Sequence, residues 1–203
     1  GGDKSVVLEN IPEDIFVSYS GNTGINAGDY IAVASFTPKN ALNMNAPSSM
    51  ICKWSVNRAD YDMSGISWSY EQPIEYDGTV QEIKLLNVPE GLKYDLFGNV
   101  GINVGKYEAI AVFKPVDTAN YNTPERISFP WEIIKADYDM GRVKWNYDKQ
   151  FAYNGETRRV SLVNLPDSLT AEYENNEAAH CGDYIASVKL NNENSNYNDT
   201  TFP

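Results

Sequence analysis

Four carboxylates pose the first chemical question in this chain. Asp60 and Asp62 recur as Asp137 and Asp139, each pair inside the phrase Ala-Asp-Tyr-Asp. Calcium takes roughly six to eight oxygen ligands, and a junction between two β domains can supply them from both sides. These four aspartates are therefore the candidate ligands of a junctional calcium. Asp29 and Asp183 are further candidates near such junctions, but Lys106 occupies the equivalent place in the middle copy. The plainer reading is a solvated acidic linker, and the expectation is that the chain carries no metal and no other cofactor.

Other chemistry-bearing residues lead less far. His180 is the only histidine and adjoins Cys181. A Cys/His nucleophile pair needs spatial adjacency and an orienting third group, and sequence neighbours in one loop do not provide that. His180 reads as a loop histidine, no catalytic residue is assigned, and the chain is not expected to be an enzyme. Cys52 and Cys181 have neither metal nor redox spacing and read as two separate thiols. Gly98, Gly101 and Gly105 resemble a phosphate cradle superficially, but they precede a strand and not a helix N-terminus. Trp54, Trp68, Trp131 and Trp145 alternate with polar neighbours, which favours a buried core over a sugar-stacking platform. The more plausible ligand surface is loop: Asn43 and Asn45; Asn120, Tyr121 and Asn122; Asn196, Tyr197 and Asn198. Asparagine and tyrosine suit weak glycan contacts, and they equally suit ordinary turns.

Composition narrows the partners. The formal net charge of −12 over 203 residues argues against nucleic acid and against anionic membranes. No run approaches the ~18 apolar residues of a membrane span, and no signal peptide is visible. A hydrophobic content of 42% is enough for packed cores and excludes a disordered composition.

What must position these residues is a repeated unit. GINAGDYIAVASF at 24–36 returns as GINVGKYEAIAVF at 101–113 and, more loosely, as AAHCGDYIASVKL at 178–190. Gly28, Gly105 and Gly182 stand 77 residues apart each time, as do the phrases NIPE, NVPE and NLPD. Trp54 becomes Trp131, and ADYDMSGISW becomes ADYDMGRVKW. One residue is lost late in the third copy, where Tyr121 aligns with Tyr197. A constant period of this length predicts tandem small domains. The expected division is 1–59 with its first strand missing, 60–136 complete, and 137–203 with its last strand missing.

In the middle copy, ISWSY, LKYDLF, KYEAIAVF and RISFPWEII alternate apolar and polar residues, which predicts strands. Asp77-Gly78 predicts a hairpin turn with TVQEIKLLN as the return strand. No stretch has sustained helical periodicity. The expected fold is all-β: immunoglobulin-like sandwiches of about six strands, with a β-grasp-like sheet as the alternative. Tyr30, Tyr107 and Tyr184 are the expected tyrosine corners, bonding back to upstream backbone. Gly28, Gly105 and Gly182 would permit the tight turn before each.

The string KADYDMxGxxW, then xYDG, NxPE, GxNxGxYxAxAxF and NYN, resembles the MBG/YDG-type repeats of bacterial extracellular proteins. The resemblance covers essentially the whole chain and rests on several spaced motifs in each copy. It implies a secreted or cell-surface location, a spacer or adhesin role and no catalytic residues. The third copy departs from it where AAHCGDY replaces GINVGKY. The functional expectation is a non-catalytic extracellular stalk in a bacterial surface protein, monomeric within a longer chain. An adhesin for glycans or extracellular proteins is the first alternative. An accessory region of a secreted enzyme is the second.

Overall fold

A computed structural model of the chain describes residues 2–147 and 149–202. The fold is all-β, and no helix occurs among the described residues. The strands, in chain order, begin with β1 (Lys4–Ser5), β2 (Ile15–Ser20), β3 (Thr23–Gly24), β4 (Gly28–Pro38) and β5 (Met50–Val56). The middle copy holds β6 (Ser67–Trp68), β7 (Ile74–Glu75), β8 (Gln81–Glu82), β9 (Leu85–Leu86), β10 (Leu92–Phe97), β11 (Val100–Gly101), β12 (Gly105–Pro115) and β13 (Ile127–Ile134). The third copy holds β14 (Lys144–Trp145), β15 (Arg158–Arg159), β16 (Leu162–Val163), β17 (Leu169–Glu174), β18 (Glu177–Ala178) and β19 (Ser187–Asn192).

Strand bounds recur with the sequence period. β2, β10 and β17 begin 77 residues apart, and β1–β3, β8–β11 and β15–β18 pair antiparallel in the same register. Each copy keeps an asparagine at positive φ in its Asn-x-Pro phrase, with φ 56° at Asn10, 57° at Asn87 and 59° at Asn164. Asparagine tolerates this left-handed conformation better than most side chains, so the phrase acts as a fixed turn.

In the middle copy the largest sheet runs β10-β12-β13-β7, with β7 parallel to β13. β12 alternates as expected of KYEAIAVF, burying Ala109, Ala111 and Phe113 on one face. Ile83, Ala109, Trp131 and Ile133 form the core, and Trp68, Tyr70, Ile74 and Tyr76 pack over it. The expected hairpin at Asp77-Gly78 is corrected. Gly78 does turn at φ 79°, but the flanking strands part company: β7 joins β13 while β8 joins β11. The return segment breaks into two short pieces, β8 and β9, because its residues serve different sheets.

The chain gathers into two compact units. One comprises Gly1–Ser67, Leu85–Asp95 and Ala111–Ile127; the other comprises Trp68–Lys84, Leu96–Ile110 and Ser128–Pro203. The first contains the passage from the first copy to the middle one, and the second contains the passage from the middle copy to the third.

Candidate functional site

The loop asparagines and tyrosines lie at those two passages. In the first unit Ala59 forms a parallel bridge with Tyr121. Its N–H donates to the Asn120 carbonyl at 2.8 Å, and Asn122 N–H donates to the Ala59 carbonyl at 2.9 Å. Asn120 uses both ends of its side chain: Oδ1 accepts from Ala27 N–H at 2.7 Å, and Nδ2 donates to Asn26 Oδ1 at 3.1 Å. Asn122 Nδ2 donates to Asp60 Oδ1 at 2.7 Å. Tyr121 stacks on Tyr61 with ring centroids 4.6 Å apart. The second unit repeats this seam with Ala136, Asn196, Tyr197 and Asn198. Asn196 accepts from Val104 N–H at 2.8 Å and donates to Asn103, Asn198 donates to Asp137 at 2.7 Å, and Tyr197 stacks on Tyr138 at 4.3 Å.

The physical logic is that of a paired amide. An asparagine offers a donor and an acceptor at one point, so it can satisfy a loop N–H and a side-chain oxygen together. The tyrosine beside it supplies apolar area and a preferred stacked geometry. The bonds of Asn120 and Asn196 join residues more than 90 positions apart, so no local pattern announces them. In the first copy, Asn43 and Asn45 occupy the loop equivalent to Asn120 and Asn122, in an exposed segment.

The aspartates have partners of their own. Asp60 and Asp137 accept from Asn122 and Asn198. Asp62 accepts from the Ser64 hydroxyl at 2.6 Å and the Ser64 N–H at 3.0 Å, and these bonds, the hydroxyl first, hold its carboxyl below the usual range. Asp139 accepts from Gly141 N–H. Among the described residues no three His, Cys, Asp or Glu side chains gather as a metal would need. Asp117 orders the first seam from behind: the Asn120 side-chain amide donates to it at 2.8 Å. That bond, with backbone N–H groups of Asn120 and Ala119, holds Asp117 below the usual carboxylate range.

Tyr30, Tyr107 and Tyr184 each donate their hydroxyl to a carbonyl four residues upstream: Asn26 at 2.7 Å, Asn103 at 2.6 Å and His180 at 3.2 Å. Tyr30 stacks on Trp54 and Tyr107 on Trp131, both at 4.7 Å. Trp54 and Trp131 donate Nε1–H to the carbonyls of Gly21 and Gly98. The turn expected at Gly28, Gly105 and Gly182 is not what makes glycine necessary here. Only Gly28 has positive φ, and a Cβ at Gly105 or Gly182 would meet nothing closer than 3.4 Å. The demanding positions are Gly98, at φ 66° with a Cβ 2.2 Å from the Glu108 carbonyl oxygen, and Gly101, whose Cβ would lie 2.7 Å from the Tyr107 ring. The sequence marks both glycines only as a superficial phosphate cradle, and the close contacts that require them are not visible in it.

In the third copy those two positions carry Asn175 and Ala178. Asn175 keeps the left-handed backbone at φ 53°, but both residues carry a Cβ where, in the middle copy, the Glu108 carbonyl and the Tyr107 ring leave no room for one. Residues 181–186 lie outside any strand, Tyr184 is 55% exposed and Ile185 is 87% exposed. Beside them opens a cleft of about 580 Å³, walled by Trp145, Tyr147, Phe151, Tyr153 and Tyr184. Arg158 lays its guanidinium over the Phe151 ring. His180 and Cys181 are on the same wall. They stand where the middle copy has Asn103 and Val104, the residues that receive Asn196. Cys52 and Cys181 are both exposed free thiols.

No helix among the described residues is long and apolar enough to cross a membrane. No protein-family model, no curated protein and no solved structure matches this chain.

Proposed function

We propose that this chain is a non-catalytic spacer in an extracellular bacterial surface protein, built from small immunoglobulin-like β-sandwich copies. One observation carries the reading: the same asparagine–tyrosine seam is built twice, with the same atoms in the same roles. A passage that spends its polar side chains on fixing one copy to the next is suited to holding copies in order. The resemblance to MBG/YDG-type repeats supports the bacterial surface assignment, and the acidic surface suits a solvated location. The loop residues that a glycan ligand would use, Asn120, Asn122, Asn196 and Asn198, are already engaged within the seams.

The test is nitrogen relaxation by NMR across Ala59 and Ala136 in the whole chain. The spacer reading expects both linkers to be as rigid as the strands beside them, and Asn120→Ala to loosen the first alone. Linkers mobile in the wild-type chain would overturn it. An adhesin role is the second reading. The feature that favours it is the exposed aromatic cleft of the third copy, and its test is binding to arrayed glycans and extracellular-matrix proteins.

A further inference from the structure

Asn154 is the one asparagine of the chain that precedes a glycine. Counting 77 residues back from it gives Asp77, followed by Gly78. The two turns share a backbone form: Gly155 has φ 80° and Gly78 has φ 79°. Both pairs are exposed. Their side chains are held by different partners. The Asp77 carboxylate accepts from Thr79 N–H at 2.8 Å, from the Thr79 hydroxyl at 2.8 Å and from Gln81 Nε2 at 2.7 Å. In the third copy Glu156 stands in the place of Thr79. Asn154 Oδ1 accepts from Glu156 N–H at 3.1 Å, and Asn154 Nδ2 donates to Glu156 Oε2 at 2.7 Å. One turn is built to hold an acid and the other to hold an amide.

We propose that Asn154 is a site of spontaneous covalent modification, in which its side-chain amide is converted to an acid through a cyclic imide formed with Gly155. The Gly155 backbone nitrogen gives up its proton and bonds to Asn154 Cγ. The Cγ–Nδ2 bond breaks, and the departing nitrogen takes up a proton and leaves as ammonia. Water then opens the five-membered imide at either carbonyl, giving aspartate or isoaspartate. The balance is one water consumed and one ammonia released, with no oxidation or reduction. Glycine is what admits the attack, because it has no Cβ to shield its nitrogen. The bond from Glu156 N–H closes an Asx turn, which folds the Asn154 side chain back along the peptide that follows it. The same bond draws electron density from the carbonyl under attack. The seam asparagines differ on both counts: Asn120 and Asn196 are each followed by tyrosine, and their side chains are engaged with loops distant in sequence.

The middle copy shows what the product would meet. Asp77 demonstrates that a carboxylate is compatible with this turn when Thr79 and Gln81 donate to it. A carboxylate at position 154 would instead face Glu156, so the 2.7 Å bond gives way to repulsion between like charges. Isoaspartate also adds a methylene to the main chain. Modification therefore loosens the third-copy turn and leaves its counterpart intact. Asp77 itself is spared, because the Thr79 N–H and hydroxyl hold its carboxyl below the usual range and an ionised carboxylate has no ready leaving group.

The experiment is incubation of the whole chain in warm, mildly alkaline buffer, followed by peptide mapping with electron-transfer fragmentation, which separates aspartate from isoaspartate. Asn154 should lose its amide before any other asparagine, with isoaspartate the larger product. The native Glu156 amide resonance should disappear in parallel. Asn154→Gln should abolish the change, since the longer side chain does not close a five-membered ring. Asn154→Asp should displace the Glu156 amide without release of ammonia, and Asn154→Asp with Glu156→Thr should restore a turn like that at Asp77. Retention of the Asn154 amide while other asparagines convert would overturn the proposal. So would aspartate formed without isoaspartate, which means direct hydrolysis, or a Glu156 amide unmoved in Asn154→Asp.

Discussion

Trp131 and Trp54 make the same bonds in different surroundings. Each stacks on the tyrosine of its own copy at 4.7 Å, with interplanar angles of 25° and 24°, and each donates its indole N–H to a glycine carbonyl 33 residues upstream. Yet Trp131 is 2% exposed, whereas Trp54 is only half-buried. The middle copy lays Trp68, Tyr70, Ile74 and Tyr76 over its tryptophan, and nothing in the described chain covers Trp54 in that way. The position equivalent to Phe129 is Cys52, which is exposed. Local sequence sets how the tryptophan is held. The covering segment sets how much that is worth.

The largest effect that separates the two regions should come from removing the rings. Trp131→Ala should cost about 3–5 kcal/mol, the range for a large side chain deleted from a packed core. Trp54→Ala should cost roughly 1–2 kcal/mol, because only part of its area leaves water on folding. Urea unfolding of the two variants measures this, and equal losses would mean that the cover contributes nothing.

Next comes the contrast between the middle and third copies at one backbone position. Gly98→Ala meets both a positive φ and a carbonyl oxygen 2.2 Å from its Cβ, so roughly 2–3 kcal/mol should be lost. Asn175→Gly at the equivalent place should leave the melting temperature unchanged or raise it. A loss from Asn175→Gly comparable to that from Gly98→Ala would show that Asn175 is itself a stabilising cap.

The seams should respond alike. Asn120→Ala leaves Ala27 N–H without its acceptor, and Asn196→Ala does the same to Val104. About 1–2 kcal/mol should be lost in each case, with faster hydrogen exchange at those two amides. Unchanged exchange would remove the seam as an organising contact.

The smallest effect should distinguish the seams by pH. Asp117 supports Asn120 in the first, whereas Asn194 takes the comparable place in the second and accepts from Asn196 N–H. Asp117 has a folded-state pKa below its unfolded value. Its contribution is therefore complete above the unfolded pKa and lost as pH falls through the folded one. Acidification should loosen the Asn120 loop before the Asn196 loop, read from amide chemical shifts. Asp117→Asn should remove the difference. Because Asp117 is exposed, the effect should be modest.

Much of this arrangement was legible in the residues. The 77-residue period, the strands LKYDLF, KYEAIAVF and RISFPWEII, and the inward faces of their alternating residues follow from periodicity. The departure of the third copy was visible in AAHCGDY, and Asn175 and Ala178 could have been found by the same alignment. Their meaning was not visible, because nothing in the chain says that Gly98 sits against a carbonyl or that Gly101 lies under a tyrosine ring. Asp77-Gly78 was read as a hairpin because a turn signal reports only local backbone conformation. The partner of each flanking strand lies elsewhere in the chain.

By itself, then, the sequence determined the all-β character, the recurrence of one strand plan and the turns at Asn10, Asn87 and Asn164. All of these rest on short-range sterics and on the two-residue alternation of strands. Tertiary structure alone decided that the loop asparagines lock one copy to the next and that Trp131 is buried in a core against which Trp68, Tyr70, Ile74 and Tyr76 pack. Those outcomes depend on groups distant in sequence arriving at one place. Hydrogen bonds and burial derive their worth from that meeting and not from the residue types alone.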